Sequence, residues 1–227
     1  MAIRPFFQIG NGISNFYQEN STNFDFFSGF AITQKRKSIK SLHESILTKN
    51  PNARILEVSR RSENEFGIQL SAFNLMFEYY PKVFIPVENV FQSAKVFFNG
   101  KQYLDLLHVS PSEAKTDERL KNSGNLVEFK LKNESWDISP STMFYDYIYL
   151  SALKKREKLC EELMQFDTFT DIEINPQKSI NCQARTVAIF VTLNKYGLFD
   201  KFISDKELFK SIYLEKPHSE GIQTSLF

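Results

Sequence analysis

The chain predicts an α+β, helix-rich fold, and three observations carry that reading. Helix and strand signals interleave without a regular β-α alternation, which argues against a doubly wound parallel sheet. Ser110-Pro111-Ser112-Glu113 spells out a helix start, with Ser110 as N-cap, Pro111 at the first helical position and Glu113 closing a capping box. Leu126 to Leu131 alternates apolar and charged residues, as a half-buried strand does.

The elements follow in order. Asn11 to Phe30 is rich in Asn, Ser and Phe, punctuated by Gly10, Gly12 and Gly29, and reads as turns and short extended pieces. The basic knot Gln34 to Ser38 leads into a helix in which Ile39, Leu42, Ile46 and Leu47 share a face, ended by Asn50-Pro51-Asn52. Arg54 to Val58 and Gly67 to Phe73 read as strands joined by the charged turn Arg60 to Asn64. Pro81 and Pro86 bracket a loop, and Pro86 opens an apolar helix that continues to Phe98. Ser139-Pro140 starts a helix running through Met143, Tyr147, Leu150 and Leu153 towards Leu163. A long helix is expected from about Lys178 to Tyr196, stopped by Gly197 at its C′ position. A short helix near Asp205 to Tyr213 follows, and beyond Lys216 the tail is polar.

Bulk properties exclude several classes. The chain has 227 residues, 42% of them hydrophobic and 23 of them Phe, enough for a sizeable core. A net charge of +1 rules out a uniformly basic nucleic-acid glue but leaves room for local patches. The longest apolar run, Val187 to Val191, is too short to span a bilayer, and no membrane partner is expected. Met1 to Pro5 lacks the apolar core of a secretion signal, and Cys160 and Cys182 form no disulfide framework, so a cytoplasmic location is expected. The three histidines are scattered and neither cysteine has metal spacing, so no metal site or cofactor is expected.

Four segments concentrate polar groups that could do chemistry. On the helix opened by Pro86, Glu88, Gln92 and Lys95 fall at i, i+4 and i+7 and line one face of an otherwise apolar rod. That stripe is either a solvated edge or one wall of a site. Asn74 ends the segment Ser71-Ala72-Phe73-Asn74, where it is either a turn residue or a ligand contact. Trp136, the single tryptophan, precedes a helix beside Asp137, either as a lid on the core or as a stacking partner for a base. Asp171 and Glu173 lead a polar loop into the helix carrying Lys178, Asn181 and Arg185, an arrangement suited to a phosphate or a sugar diol. Lys35-Arg36-Lys37 is either a solvated charge run or a contact to a DNA backbone.

Taken together, these segments resemble the NADAR family, with its YbiA-like fold, and within it the branch associated with DarT-type DNA ADP-ribosyltransferase toxins. The family's Ser-x-Phe region resembles Ser71-Ala72-Phe73-Asn74, and its Glu-His-x-x-Gln-x-x-Lys helix resembles Glu88 to Lys95. Its Pro-x-x-Ala-x-x-x-x-Arg helix resembles Pro111 to Arg119, its Trp before a long helix resembles Trp136, and its late Asp with Lys-x-x-Asn resembles Asp171, Lys178 and Asn181. Asn89 stands where many members have His, and Phe169 to Glu173 replaces a Trp-Gly-Asp-Gly-Gly loop. The likeness runs from Gly67 to Gly197. Residues 1–66 then form an N-terminal extension packed on the core, residues 67–215 the catalytic domain, and residues 216–227 a flexible tail.

The resemblance implies an antitoxin hydrolase that removes ADP-ribose from guanine in DNA by cleaving an N-glycosidic bond. Its partners would be ADP-ribosylated DNA and a cognate DarT-type toxin. Glu88 would be base or acid and Asp171 a second acid. Lys95 would either pair with Glu88 or attack an opened ribose as a Schiff-base amine. Asn74, Gln92, Arg119, Trp136, Lys178 and Asn181 would contact the ligand. Two rival readings stay open: a module that binds ADP-ribose or the toxin without turnover, and an N-glycosidase for a small nucleotide metabolite. Gln223-Thr224-Ser225-Leu226-Phe227 resembles the Gln-x-x-Leu-Phe peptide of bacterial sliding-clamp partners, with Gln223, Leu226 and Phe227 as its anchors.

Overall fold

The computed structural model describes residues 1–12, 14–175 and 181–214, so Lys178 and the tail anchors Gln223, Leu226 and Phe227 lie outside it. Strand β1 (Ala2–Gly12) and strand β2 (Asn15–Phe24) form a long antiparallel hairpin, with Ala2 opposite Phe24 and Ile9 opposite Tyr17. Within residues 11–30, expected as turns and short extended pieces, the extended part is one long strand. β2 is an edge strand, and only its Phe16, Thr22 and Phe24 are buried, so its composition reads as loop. Gly10 is needed at the hairpin end, because a Cβ there would lie 1.7 Å from the Asn15 carbonyl oxygen.

Helix α1 (Ile32–Lys49) follows, then β3 (Ile55–Glu57) and the short α2 (Glu65–Gln69). The strand expected over Gly67 to Phe73 is therefore absent. Asn64 caps α2 by accepting the Phe66 amide at 2.9 Å, and Gly67 lets the helix press on β3, where a Cβ would come 2.0 Å from the Glu57 carbonyl. The hairpin β4 (Met76–Tyr80) and β5 (Val83–Pro86) leads into α3 (Val87–Ser93). The helix expected to reach Phe98 stops at Ser93, and residues 95–97 become β6 (Lys95–Phe97). A fully buried strand is as continuously apolar as a buried helix, so the pattern alone did not reveal the change.

The capped helix α4 (Pro111–Thr116) has the expected box, both Ser110 and Glu113 bonding each other's backbone amides. α5 (Glu118–Asn122), β7 (Leu126–Leu131) and β8 (Glu134–Trp136) follow, and β6-β7-β8 make a three-stranded sheet. The expected single helix from Ser139 breaks at Lys155–Arg156 into α6 (Met143–Lys154) and α7 (Glu157–Leu163). β9 (Thr168–Thr170), α8 (Gln183–Lys195), α9 (Phe199–Ser204) and α10 (Lys206–Leu214) complete the chain. Among the described residues no helix is long and apolar enough to cross a membrane.

The architecture is α+β, with a four-stranded sheet in the order β2-β1-β9-β3. Phe6 and Phe7 point to opposite faces of β1. Phe6 joins Phe24, Ile39, Leu42 and Ile46 under α1, and Phe7 joins the main core with α3, α6 and α8. β9 runs antiparallel to β1 and parallel to β3, so residues 1–66 supply three of the sheet's four strands.

One buried ionic group locks α6, α8 and α10 together. Asp146, with no exposed surface, accepts Arg185 Nη2 and Tyr213 Oη at 2.7 Å each and also the Thr186 hydroxyl. Arg185 is thus spent on the core instead of lining a phosphate site. Asp146→Ala should cost about 3–5 kcal/mol by stranding the guanidinium, and urea unfolding measures it. A cost below about 1 kcal/mol would show that the network carries no stability.

Candidate active site

One half-open cavity of about 440 Å³ gathers most of the expected site residues. Its first wall is α3. The turn after α2 positions this helix, since the carbonyls of Leu75 and Ala72 take the amides of Val87 and Glu88, each at 2.9 Å. Glu88 faces the cavity at 5% exposure, and its Oε1 accepts Gln92 Nε2 at 2.8 Å. Gln92 Oε1 is buried with no protein partner, which leaves an acceptor for a ligand hydroxyl or amine. Asn89 points away from the cavity and binds the carbonyls of Leu106 and Val109 at 2.8 Å each, so the Asn-for-His departure serves the loop ahead of α4.

Lys95 reaches the same cavity from β6, its ammonium 5.1 Å from the centroid of the Phe91 ring. Burial lowers its pKa to about 8, with the Glu88 charge opposing and Lys115 assisting. The aromatic wall continues through Phe129, whose ring centroid lies 5.4 Å from that of Phe91, and through Tyr145 of α6. Burial and then the charge of Glu88 push the Tyr145 hydroxyl well above its usual range, so it is a neutral donor.

The second wall is the loop after β9. Asp171 is 5% exposed and lines the cavity. Gln183 Nε2 donates to its Oδ2 and the Glu173 amide to its Oδ1, both at 3.0 Å, while the Ala72 amide donates to Gln183 Oε1. Burial raises the Asp171 pKa and outweighs those bonds, with Glu173 adding to the rise. Behind it stands Glu57, 2% exposed. It accepts the Ser59 hydroxyl at 2.6 Å, the Thr170 hydroxyl at 2.6 Å and the Ile172 amide at 2.8 Å. Burial and the nearby charge of Asp171 raise the Glu57 pKa as well. Because Thr170 gives its hydrogen to Glu57, the 2.9 Å contact from His43 Nε2 to Thr170 Oγ1 is one in which His43 donates. Asn181 lines the cavity just ahead of Cys182, the N-cap of α8, which begins five residues later than expected for Lys178.

Three expected contacts are corrected. Trp136 is 2% exposed and sits in the core, 4.4 Å from Tyr147 by ring centroid and capped by Lys206 at 3.9 Å. The sheet β6-β7-β8 carries it away from the cavity, so it stacks on core rings and not on a base. Asn74 is exposed and closes its turn by donating to the Ile68 carbonyl at 2.9 Å, whereas its neighbours Ser71 and Phe73 line the cavity. Arg119 lies outside, clasped by Asp105 at 2.6 Å and Asp117 at 2.8 Å. Lys115 and Lys121 take the cavity positions expected of it, and Arg60 adds a further cation stacked 4.0 Å from the Phe73 ring centroid. Lys35, Arg36 and Lys37 occupy the first turns of α1 and do not line the cavity.

Sequence reasoning missed Tyr145, Lys115, Lys121, Arg60, Gln183 and Glu57. Gln183 lay inside the polar segment after Asp171, Arg60 in the charged turn and Lys115 in the Pro111 to Arg119 helix, none of them singled out; the others are brought in by tertiary packing. A second, more open hollow of about 570 Å³ is lined by Glu78, Lys132, Glu134 and Tyr147, and its Glu78 already pairs with Lys155 at 3.5 Å. Among the described residues no cluster of His, Cys, Asp and Glu could hold a metal ion.

Two buried carboxylates share this aromatic, cation-rimmed cavity with an amine, the equipment of a glycosidase-like hydrolase. The family model for DarT1-associated NADAR antitoxins matches residues 2–222, so the chain belongs to that family. No curated protein matches it.

Proposed function

We propose that this protein removes ADP-ribose from guanine bases in DNA and thereby reverses the modification made by a DarT1 toxin. The bond cleaved joins C1″ of the distal ribose to the exocyclic amine of guanine. The observation that carries this reading is the burial of Glu88 in a cavity shared with Asp171 and Lys95. A half-open space of about 440 Å³ with aromatic walls suits a nucleotide sugar, and Arg60, Lys115 and Lys121 supply the charge that a pyrophosphate needs.

The chemistry needs an acid, a base and a nucleophile. Asp171, its pKa raised by burial to about 6, is the proton donor to the departing amine or to the ring oxygen as the C1″ bond breaks. Glu88 stabilises the positive charge that develops at C1″ and takes the proton of the attacking group. The lowered pKa of Lys95 favours its amine as that group. The ribose ring opens, Lys95 replaces the guanine nitrogen on C1″, the free base amine leaves, and water hydrolyses the imine to ADP-ribose and free lysine. The net reaction consumes one water and needs no oxidant or reductant.

The direct test mixes substoichiometric protein with an oligonucleotide carrying ADP-ribosylated guanine and follows free ADP-ribose by chromatography. Many turnovers per protein are expected. One-for-one protection against the toxin without ADP-ribose release would mean a binding antitoxin. Turnover of free ribosyl metabolites with indifference to DNA would mean a metabolic glycosidase.

Glu57 tunes the acid. Its repulsion with Asp171 is mutual, so Glu57→Gln should let Asp171 lose its proton at lower pH. The limb of the pH–rate profile that lies near the Asp171 value of about 6 should then move to lower pH. An unshifted limb with a lower rate throughout would give Glu57 a merely structural role.

A further inference from the structure

The cavity occupies one end of the four-stranded sheet, and an unused surface lies at that same end. β3 and β9 run in parallel towards the cavity, ending near Arg60 and Asp171. β1 is antiparallel to β9, with Phe7 opposite Phe169, so it starts at this end with Arg4 about level with Ile172. β2 returns antiparallel and finishes here, Phe24 opposite Ala2. The chain therefore leaves the sheet beside the cavity, and the next segment, residues 25–37, is displayed there.

That segment breaks the rules for an inert surface. Phe30 is 98% exposed, with Phe26, Phe27 and Ile32 between 37% and 42%. Aromatic rings are costly to leave in water, yet the loop is pinned rather than loose. Ser41 Oγ accepts the Asp25 amide at 3.0 Å and Ser38 Oγ the Phe27 amide at 2.9 Å. Lys35, Arg36 and Lys37 follow within the first turns of α1, and no acidic residue stands between Asp25 and Glu44. Cations at a helix N-terminus oppose the macrodipole, so helix stability does not account for them. Among the described residues none of the three forms an ion pair. Arg4 and Lys35 flank the Phe26 ring at 5.9 and 5.2 Å from its centroid.

We propose that residues 26–37 dock the single-stranded DNA flanking the modified guanine, with bases stacked on Phe30 and Phe27 and phosphates held by Lys35, Arg36 and Lys37. Rings interleaved with cations of one sign complement a polyanion that offers flat faces, and a duplex hides those faces. The buried position of Glu88 makes the same demand, because a modified base must leave the helix to reach it. The choice of DNA rests on the proposed reaction, but the docking itself does not require hydrolysis.

Fluorescence anisotropy with a short, labelled, unmodified single strand tests it. The wild-type protein should bind, and its affinity should fall as salt rises. Phe30→Ala, at a side chain almost wholly in water, should weaken binding about tenfold. Lys35→Ala and Lys37→Ala should each flatten the logarithmic salt slope by about 0.7. Glu88→Gln should bind this strand as the wild type does, and a wild-type protein that binds through Phe30 yet releases no ADP-ribose would remove the hydrolase reading and leave the surface standing. Equal binding by all variants, or equal affinity for the matching duplex, would overturn the proposal. So would variants that keep the strand but lose capture of the toxin, which would make this a protein interface.

Discussion

Glu88→Gln should fold as the wild type does and release ADP-ribose from modified guanine about 10³- to 10⁴-fold more slowly. The substitution is nearly isosteric, and an amide oxygen at this position still accepts Gln92 Nε2, so α3 keeps its internal bond. What disappears is a negative charge beside C1″ and a group able to take a proton. In a buried site both losses fall on the transition state more than on the bound substrate. The deficit should therefore appear in kcat, with KM little changed. Thermal unfolding of the variant checks the fold, and single-turnover release of ADP-ribose checks the chemistry. A folded variant with full activity would remove the mechanism.

The second large effect belongs to Lys95. Borohydride added during turnover should reduce an imine and leave an ADP-ribosyl adduct on Lys95, read by peptide mass spectrometry. Lys95→Arg, which keeps the charge but cannot form an imine, should lose about 10³-fold or more in rate and leave no adduct. If Lys95 only supports Glu88 electrostatically, Arg should restore much of the activity and borohydride should trap nothing. The pH dependence adds an independent check. Burial places the Lys95 pKa at about 8, so below that pH the amine is mostly protonated and cannot attack. The rate should rise to about pH 6, stay level between the Asp171 value of about 6 and the Lys95 value of about 8, and fall at higher pH. Removing Glu88 removes the charge that favours the ammonium, so in Glu88→Gln the Lys95 pKa should fall further.

The parts of the fold legible in the sequence are those fixed by local chemistry. Ser110, Pro111 and Glu113 define α4, the alternation from Leu126 to Leu131 defines β7, and Gly197, at φ +66°, ends α8 where only a glycine sits easily. The parts that were not legible depend on partners distant in sequence. β2 is polar because it is an edge strand. Gly67 begins no strand, because the short α2 must approach β3 closely. α3 hands over to β6 inside an unbroken apolar run, yet Lys95 reaches the expected cavity from its strand.

The site divides the same way. Glu88, Gln92, Lys95, Asp171 and Asn181 all line one cavity, and each was marked by a polar group on an apolar or helix-leading segment. Trp136 and Asn74 were marked by residue type and Arg119 by the family resemblance, and their neighbours satisfy them instead: core rings, a turn carbonyl and two aspartates. Tyr145 carried no mark at all, because it sits among the buried aromatic and aliphatic residues of α6, of which the cavity touches only one face.

Cocrystallisation with ADP-ribose is the most direct test of the claim that this cavity holds the scissile bond. The distal ribose should lie with C1″ beside Glu88 and Lys95, and the pyrophosphate should meet Arg60, Lys115 or Lys121. Nucleotide bound in the hollow lined by Glu78, Lys132 and Tyr147, or with its distal ribose turned away from Glu88, would contradict the account.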